Sequence, residues 1–275
     1  MHRKGVVTSC KLFNIVLALI CNTSLAEVSV HRYEIRWQFI TVGALELVIS
    51  NSFERHQIKM VTETRGPLKI FRNYSSTVIS REDRFGERTY RLQSLDRGKG
   101  EERKIRYRDG EAPIVETFIE LDAPTALATS ADRDKNSTDP IWVLARVLKA
   151  LDDGKECDGQ FLIYDGKRRY KISTVSIPTM SEDIHDARIS TKTIVSLCRF
   201  KLEGRSIESA NFEVVEENVG FNAVRGAWPF NRDGQQVVDI WFKKEGVNPA
   251  HPIRFSLRTP FGRVIGEKEG GLAKR

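Results

Sequence analysis

Apolar and polar residues alternate with a period of two along most of the chain. In HRYEIRWQFI, Tyr33, Ile35, Trp37 and Phe39 fall on one face, and Arg32, Glu34, Arg36 and Gln38 fall on the other. That is the signature of a strand with one buried and one wet face. Val42-Gly43-Ala44 reads as a turn, after which LELVIS continues as a second strand. Further strands are predicted over residues 56–64, 68–72, 75–81, 86–95, 103–108 and 114–121. The second half adds 160–164, 168–177, 192–203, 211–216, 236–243, 252–258 and 261–266. Phe85-Gly86, Asp109-Gly110, Asp165-Gly166, Asp233-Gly234 and Pro260-Phe261-Gly262 supply turns between several of them. Short turns imply antiparallel hairpins, because a parallel sheet would need repeated crossover helices that the pattern lacks.

One segment, DPIWVLARVLKALDDG, switches to helical periodicity. Asp139 is placed to cap it, Pro140 suits the first helical position, and Gly154 closes it. Ile141, Val143, Leu144, Ala145, Val147, Leu148 and Leu151 cover an arc of roughly 200° at 3.6 residues per turn. Arg146, Lys149 and Asp153 form the remaining polar stripe, with Trp142 at its edge. So wide an apolar face calls for a concave partner rather than a flat one. The expected fold is therefore mainly β, an antiparallel curled sheet (open or half barrel) wrapping one main α-helix. Residues 122–139 and 178–190 read as loops, the first of them mobile, and residues 27–267 as a single β-rich domain. Residues 268–275 read as a flexible tail.

The N-terminus changes the picture. MHRK and Lys11 flank the apolar run at 12–20, and Ser24-Leu25-Ala26 offers small residues for a cut after Ala26. This is the layout of a cleavable signal peptide over residues 1–26. The run is too short for a bilayer, which takes about 20 residues. No later stretch approaches that length, so a soluble exported chain without a transmembrane segment is expected. Losing Arg3, Lys4 and Lys11 lowers the formal charge from +7 to +4. That mild excess does not indicate nucleic acid. The basic stretch at 97–108 reads as a strand whose Lys104, Arg106 and Arg108 face solvent opposite Ile105 and Tyr107.

Of four cysteines, Cys157 and Cys198 would remain after the cut. In an oxidising compartment such a pair is expected to form a disulfide, worth about 4 kcal/mol for a loop of about 40 residues. The alternative, a nucleophilic cysteine, needs a base, and His185 lies far along the chain with nothing to fix it. The chain has no Gly-x-Ser-x-Gly elbow, Walker A loop, Gly-x-Gly-x-x-Gly or His-Glu-x-x-His. No Cys/His spacing points to a metal, and nothing implies a cofactor. Glu182-Asp183 and Glu216-Glu217 read as surface carboxylates. The large aromatics either fill the core or line a ligand cavity. Trp37, Trp142, Leu148 and Leu151 are the candidate ligand-binding residues on the second view.

Several of these features occur together in a pattern that resembles a known family. They are RYEIRW at 32–37, VGALEL at 42–47, the Asp139-Pro140 helix, Cys157 and Cys198. To them are added Tyr164-Asp165-Gly166-Lys167-Arg168-Arg169-Tyr170 and Thr259-Pro260-Phe261-Gly262. The set resembles the bacterial envelope family called domain of unknown function 3108, over most of the exported chain. Residues 178–190 and 205–235 carry no matching element. The resemblance implies secretion to the periplasm and a mainly β fold, and it offers no catalytic residues. Lipoprotein carriers and their sensor relatives look similar in architecture. Within YDGKRRY, Lys167, Arg168 and Arg169 are expected where a turn meets solvent. The expectation is a non-enzymatic, periplasmic envelope-maintenance protein whose concavity binds an apolar ligand or a partner polypeptide, with lipid or an envelope protein as partner. A scaffold with a solid core is the alternative, recruiting partners through its basic outer faces and loops, with Arg168 and Arg169 as the residues that test it, and an envelope hydrolase is the third reading.

Overall fold

Among the described residues thirteen antiparallel strands form one sheet. In chain order they are β1 (Glu27–Trp37), β2 (Ile40–Ser52), β3 (Arg55–Thr64), β4 (Tyr74–Asp83), β5 (Arg88–Asp96), β6 (Lys99–Tyr107) and β7 (Ile114–Glu120). The second half adds β8 (Gly159–Tyr164), β9 (Arg169–Ile177), β10 (Thr193–Gly204), β11 (Gln235–Glu245), β12 (His251–Thr259) and β13 (Gly262–Lys268). Among the described residues two helices accompany them, α1 (Leu68–Phe71) and α2 (Pro140–Asp152). The structure, a computed structural model, describes residues 27–52, 55–120, 134–166, 168–178, 193–204, 235–246, 248–259 and 262–270. Residues 1–26, the strand expected at 211–216, the loop at 178–190 beyond 178, and most of the one at 122–139 lie outside them.

The spatial order is β7-β6-β5-β4-β3-β2-β1-β13-β12-β11-β10-β9-β8. The two halves of the chain meet where β1 pairs with β13, Tyr33 opposite Lys268. Lys268 is thus a strand residue and not the start of a tail. In a flat sheet β6 and β8 would stand roughly 50 Å apart at the usual strand spacing. Instead the Tyr107 hydroxyl of β6 donates to the Tyr164 carbonyl of β8 at 2.6 Å. The sheet therefore bends until its two ends meet.

Three local expectations are corrected. The β1–β2 turn falls at Gln38-Phe39, not at residues 42–44; Gln38 takes a φ of 55°, and Trp37 pairs with Ile40. Phe39 leaves the apolar face and points to solvent. Gly43 lies inside β2, where a Cβ would stand 2.8 Å from the Glu63 carbonyl oxygen. A glycine in a strand can mark close backbone approach as well as a turn. Residues 68–72 form the short helix α1, not a strand. Gly66, at φ 61°, and Pro67 precede it, and Pro favours the first helical turn. Five residues are too few for a period of two to exclude a turn of helix.

Helix α2 appears as its sequence predicts. Ile141, Val143, Ala145, Val147, Leu148 and Leu151 are buried. They share one core with Leu47, Ile58, Val78, Tyr90, Ile105 and Phe200 of the sheet. Among the described residues no helix is long and apolar enough to cross a membrane.

Candidate functional site

The N-terminal end of α2 is held by a cluster of buried polar groups. Asp139 Oδ1 accepts from the backbone N–H groups of Ile141 (3.0 Å) and Trp142 (2.8 Å), and Oδ2 accepts from Ser80 of β4 at 3.0 Å. Removal from water pushes the Asp139 carboxyl up to about 6, against the pull of those hydrogen bonds and of Arg88. Arg88 of β5 is buried, donates to the Thr138 hydroxyl, and reaches Asp109 at 2.8 Å. Its guanidinium lies 5.6 Å from the Trp142 ring centre. Thr138 pairs with the outer edge of β8: its N–H donates to the Leu162 carbonyl (2.8 Å), and its carbonyl accepts from Tyr164 (3.1 Å).

A second buried cation crosses the same seam. Arg103 of β6 donates to the Asp165 carbonyl at 2.9 Å, lies 3.1 Å from the Asp165 carboxylate, and pairs with Glu101. Burial works against its charge, but Asp165 and Glu101 outweigh burial and hold its pKa above the usual arginine value. Arg169 makes a two-pronged contact with buried Asp134, at 2.7 and 2.8 Å. Arg169 is therefore half-buried and engaged with Asp134 rather than displayed freely on the turn. The last residues of the loop expected at 122–139 are likewise fixed, through Asp134, Thr138 and Asp139.

The C-terminal end of α2 is tied to the other half of the sheet. Lys244 of β11 donates to the Asp152 carbonyl at 2.7 Å, where a cation suits the helix dipole. The Ala250 N–H donates to the Asp152 carboxylate at 2.6 Å. Just beyond the helix, Cys157 stands at disulfide distance from Cys198 of β10, with Cα atoms 6.1 Å apart. Both are buried, as a structural bond requires. Beside this end His31 of β1 and His251 of β12 stack, ring centres 4.9 Å apart. Burial, then Lys268 and His251, holds His31 down to about 4.

Trp142, Leu148 and Leu151 thus share one helix, with Trp142 edge-on to His56 at 5.5 Å. Trp37 stands apart from them at the β1–β2 turn, partly exposed. The helix contacts the sheet near the end where β3, β5 and β12 begin, through His56, Arg88 and Ala250. On the same face toward the opposite end, Leu45, Met60, Leu92, Leu202 and Val238 are only half-buried. Opposite Leu202, Gln236 is buried, and among the described residues neither atom of its amide finds a hydrogen-bond partner. A separate notch of about 480 Å³ lies on the rim between the β4–β5 and β6–β7 turns, lined by residues that include Asp83, Glu87 and Arg108.

The pattern reading missed Arg88, Arg103, Asp134, Asp165 and Gln236. Two of them carried a signal. Arg103 has the parity of Ile105 and Tyr107, and Arg88 that of Tyr90, so alternation puts both cations on the inner face. His185, Glu182-Asp183 and Glu216-Glu217 lie outside the described residues. Among the described residues no group of three or more His, Cys, Asp or Glu is placed to hold a metal.

Comparison with known proteins gives two matches. A family model described as "Protein of unknown function (DUF3108)" matches residues 32–267. The chain is also similar to a solved structure described as a beta-barrel-like protein of domain of unknown function DUF1849 from Brucella abortus. That similarity has a TM-score of 0.50 at 11% identity and covers 89% of this chain and 96% of the other. It concerns the fold alone. No curated protein matches.

Proposed function

The chain belongs to the DUF3108 family, and from that premise we propose that it is a non-enzymatic binding protein of the bacterial envelope, exported to the periplasm by its N-terminal signal. The curled sheet wraps α2, which plugs one end of a half barrel. The hollow beyond it takes an apolar ligand with a small polar group, of the acyl-chain class. Leu148, Leu151 and Trp142 form the floor on the helix, and Trp37 stands at the opposite mouth. The Gln236 amide is the polar handle.

The observation that carries this reading is the incompletely filled inner face away from α2. Leu45, Met60, Leu92, Leu202 and Val238 remain half-buried there, and Gln236, opposite Leu202 on the neighbouring strand, is a buried amide with no partner among the described residues. A buried unpaired amide costs about 1–3 kcal/mol and is rarely left so without a water or ligand to satisfy it. The scaffold reading loses one of its two recruiting arginines, because Arg169 is engaged with Asp134. Native mass spectrometry after detergent-free purification is the test. A co-purified lipid is expected, and Gln236→Leu is expected to weaken its retention. A ligand-free protein that also fails to take up an apolar fluorescent probe overturns the proposal and favours a solid-cored scaffold.

A further inference from the structure

The end of the sheet opposite α2 carries large apolar side chains in water. Phe39 at the β1–β2 turn is 85% exposed, and Ile70 and Phe71 on α1 are 85% and 74% exposed. Trp37 and Ile40 flank Phe39 and are themselves partly exposed. These residues stand on connections that are tied together. Arg65 N–H donates to the Val42 carbonyl at 3.0 Å, and a Cβ on Gly66, at φ 61°, would collide with the Thr41 carbonyl oxygen, so α1 abuts the start of β2. The Gln38 N–H donates to the Arg263 carbonyl at 3.4 Å, joining the β1–β2 turn to the start of β13. The Arg97 N–H donates to the Asn73 carbonyl at 3.0 Å, joining the β5–β6 turn to the exit of α1. The apolar tips are thus fixed to one rigid rim.

Cations surround them. Lys69, Arg97, Arg258 and Arg263 come from three of these connections and are all exposed. Among the described residues no carboxylate is paired with any of the four. The carboxylates flanking the same turns, Glu63 and Asp96, are already paired with Arg65 and Arg72. A rigid group of exposed aromatic and branched apolar tips ringed by unpaired cations matches the interface of an anionic bilayer. The tips enter the acyl boundary and the cations meet the headgroups. Exposed apolar surface of this kind is otherwise a liability in water.

We propose that this rim docks the protein on an anionic lipid surface. The inference deepens the carrier reading, because the half-filled inner face opens toward the same end, but it stands on its own residues. Docking needs no ligand in the hollow, and ligand uptake needs no docking.

The test is co-sedimentation with vesicles of phosphatidylcholine containing 30% phosphatidylglycerol, and with phosphatidylcholine alone. Every variant carries the same N-terminus as wild type, so that only ratios to wild type are read. Binding to the anionic vesicles is expected, and a strong fall with added salt. Lys69→Gln, Arg97→Gln and Arg263→Gln together are expected to cost about 100-fold, at about fivefold per charge. Phe39→Ser, Ile70→Ser and Phe71→Ser together are expected to cost at least about tenfold and to leave thermal unfolding unchanged. If wild type leaves both vesicles alone, or if neither variant differs from it, the proposal fails. It also fails if the serine variant turns a dimer into a monomer in sedimentation analysis without affecting vesicle binding. That result would assign the rim to a second copy. Ligand uptake measured separately, without vesicles, distinguishes this failure from failure of the carrier reading.

Discussion

Asp139→Asn is the most informative single change. In the folded chain the Asp139 carboxyl titrates at about 6 against an ordinary value of 3.8, because it is wholly buried. The native state therefore holds this proton more tightly than the unfolded chain. Between pH 4 and 6 the folded state binds more protons, so stability falls as pH rises through that window and stays lower above it. A shift of about two units corresponds to about 3 kcal/mol. Asparagine keeps the useful contacts. Its Oδ1 accepts from the Ile141 and Trp142 N–H groups, and its Nδ2 donates to the Ser80 hydroxyl, which can reverse its role. The variant carries no charge to desolvate. It should match wild type near pH 4 and exceed it by up to about 3 kcal/mol above pH 7. Urea unfolding followed by tryptophan fluorescence at four pH values gives the difference, and other titrating groups cancel in it. A difference that does not vary with pH, or a variant weaker than wild type at pH 7, would refute the burial argument.

The other predictions concern the seam and the helix exit. Replacing Cys157 and Cys198 by serine is expected to cost about 4 kcal/mol of stability in the same assay, and reductant should do the same to wild type but nothing to the variant. Arg103→Ala strands Asp165 and Glu101 without their cation and should cost about 3–5 kcal/mol, which chemical denaturation will read. His31→Gln should flatten a loss of stability in acid. Burial and Lys268 hold His31 at about 4 in the fold, so its contribution is fully present above pH 6.5 and lost as pH falls toward 4. Hydrogen exchange should be faster at the Ile141–Leu144 amides than at Leu148–Leu151, because the C-terminal end lies next to the disulfide. Equal protection at both ends would contradict that asymmetry.

How much of this was legible in the sequence depends on what each residue answers to. The strands were legible because half-burial imposes a period of two, and α2 because its cap, its proline and its wide apolar arc agree. The Cys157–Cys198 pair was legible by elimination of the other two cysteines. The pattern misplaces the β1–β2 turn because Gly43 reads as a turn residue, whereas its missing Cβ admits the Glu63 carbonyl of the neighbouring strand. That is a contact between strands, invisible along one. Asp139 could be read as a helix cap from its neighbours, but not as a buried charge. Its partners there, Ser80 and Arg88, are both more than fifty positions away in the chain. Arg103 was readable from parity alone and was hidden by the basic residues around it, which made the whole stretch look like a solvated face.

The seam explains why so many polar groups are buried on one side of the molecule. A sheet that bends until its ends approach must either pair them or protect them. Among the described residues β7 pairs only with β6, and β8 pairs only with β9 and with Thr138. Thr138 covers the exposed edge of β8 with two backbone hydrogen bonds, and the next residue caps the helix. Two adjacent residues therefore satisfy a sheet edge and a helix start, which are the two places where backbone groups lack partners. Arg88 and Ser80 bind their side chains from the far wall, and Arg103 and Tyr107 reach the carbonyls at the end of β8. Closure by side chains differs from closure by a strand ladder in one respect. A ladder adds a bond for every residue along the strand, whereas the seam rests on a few long side chains that can be released without unpairing any strand.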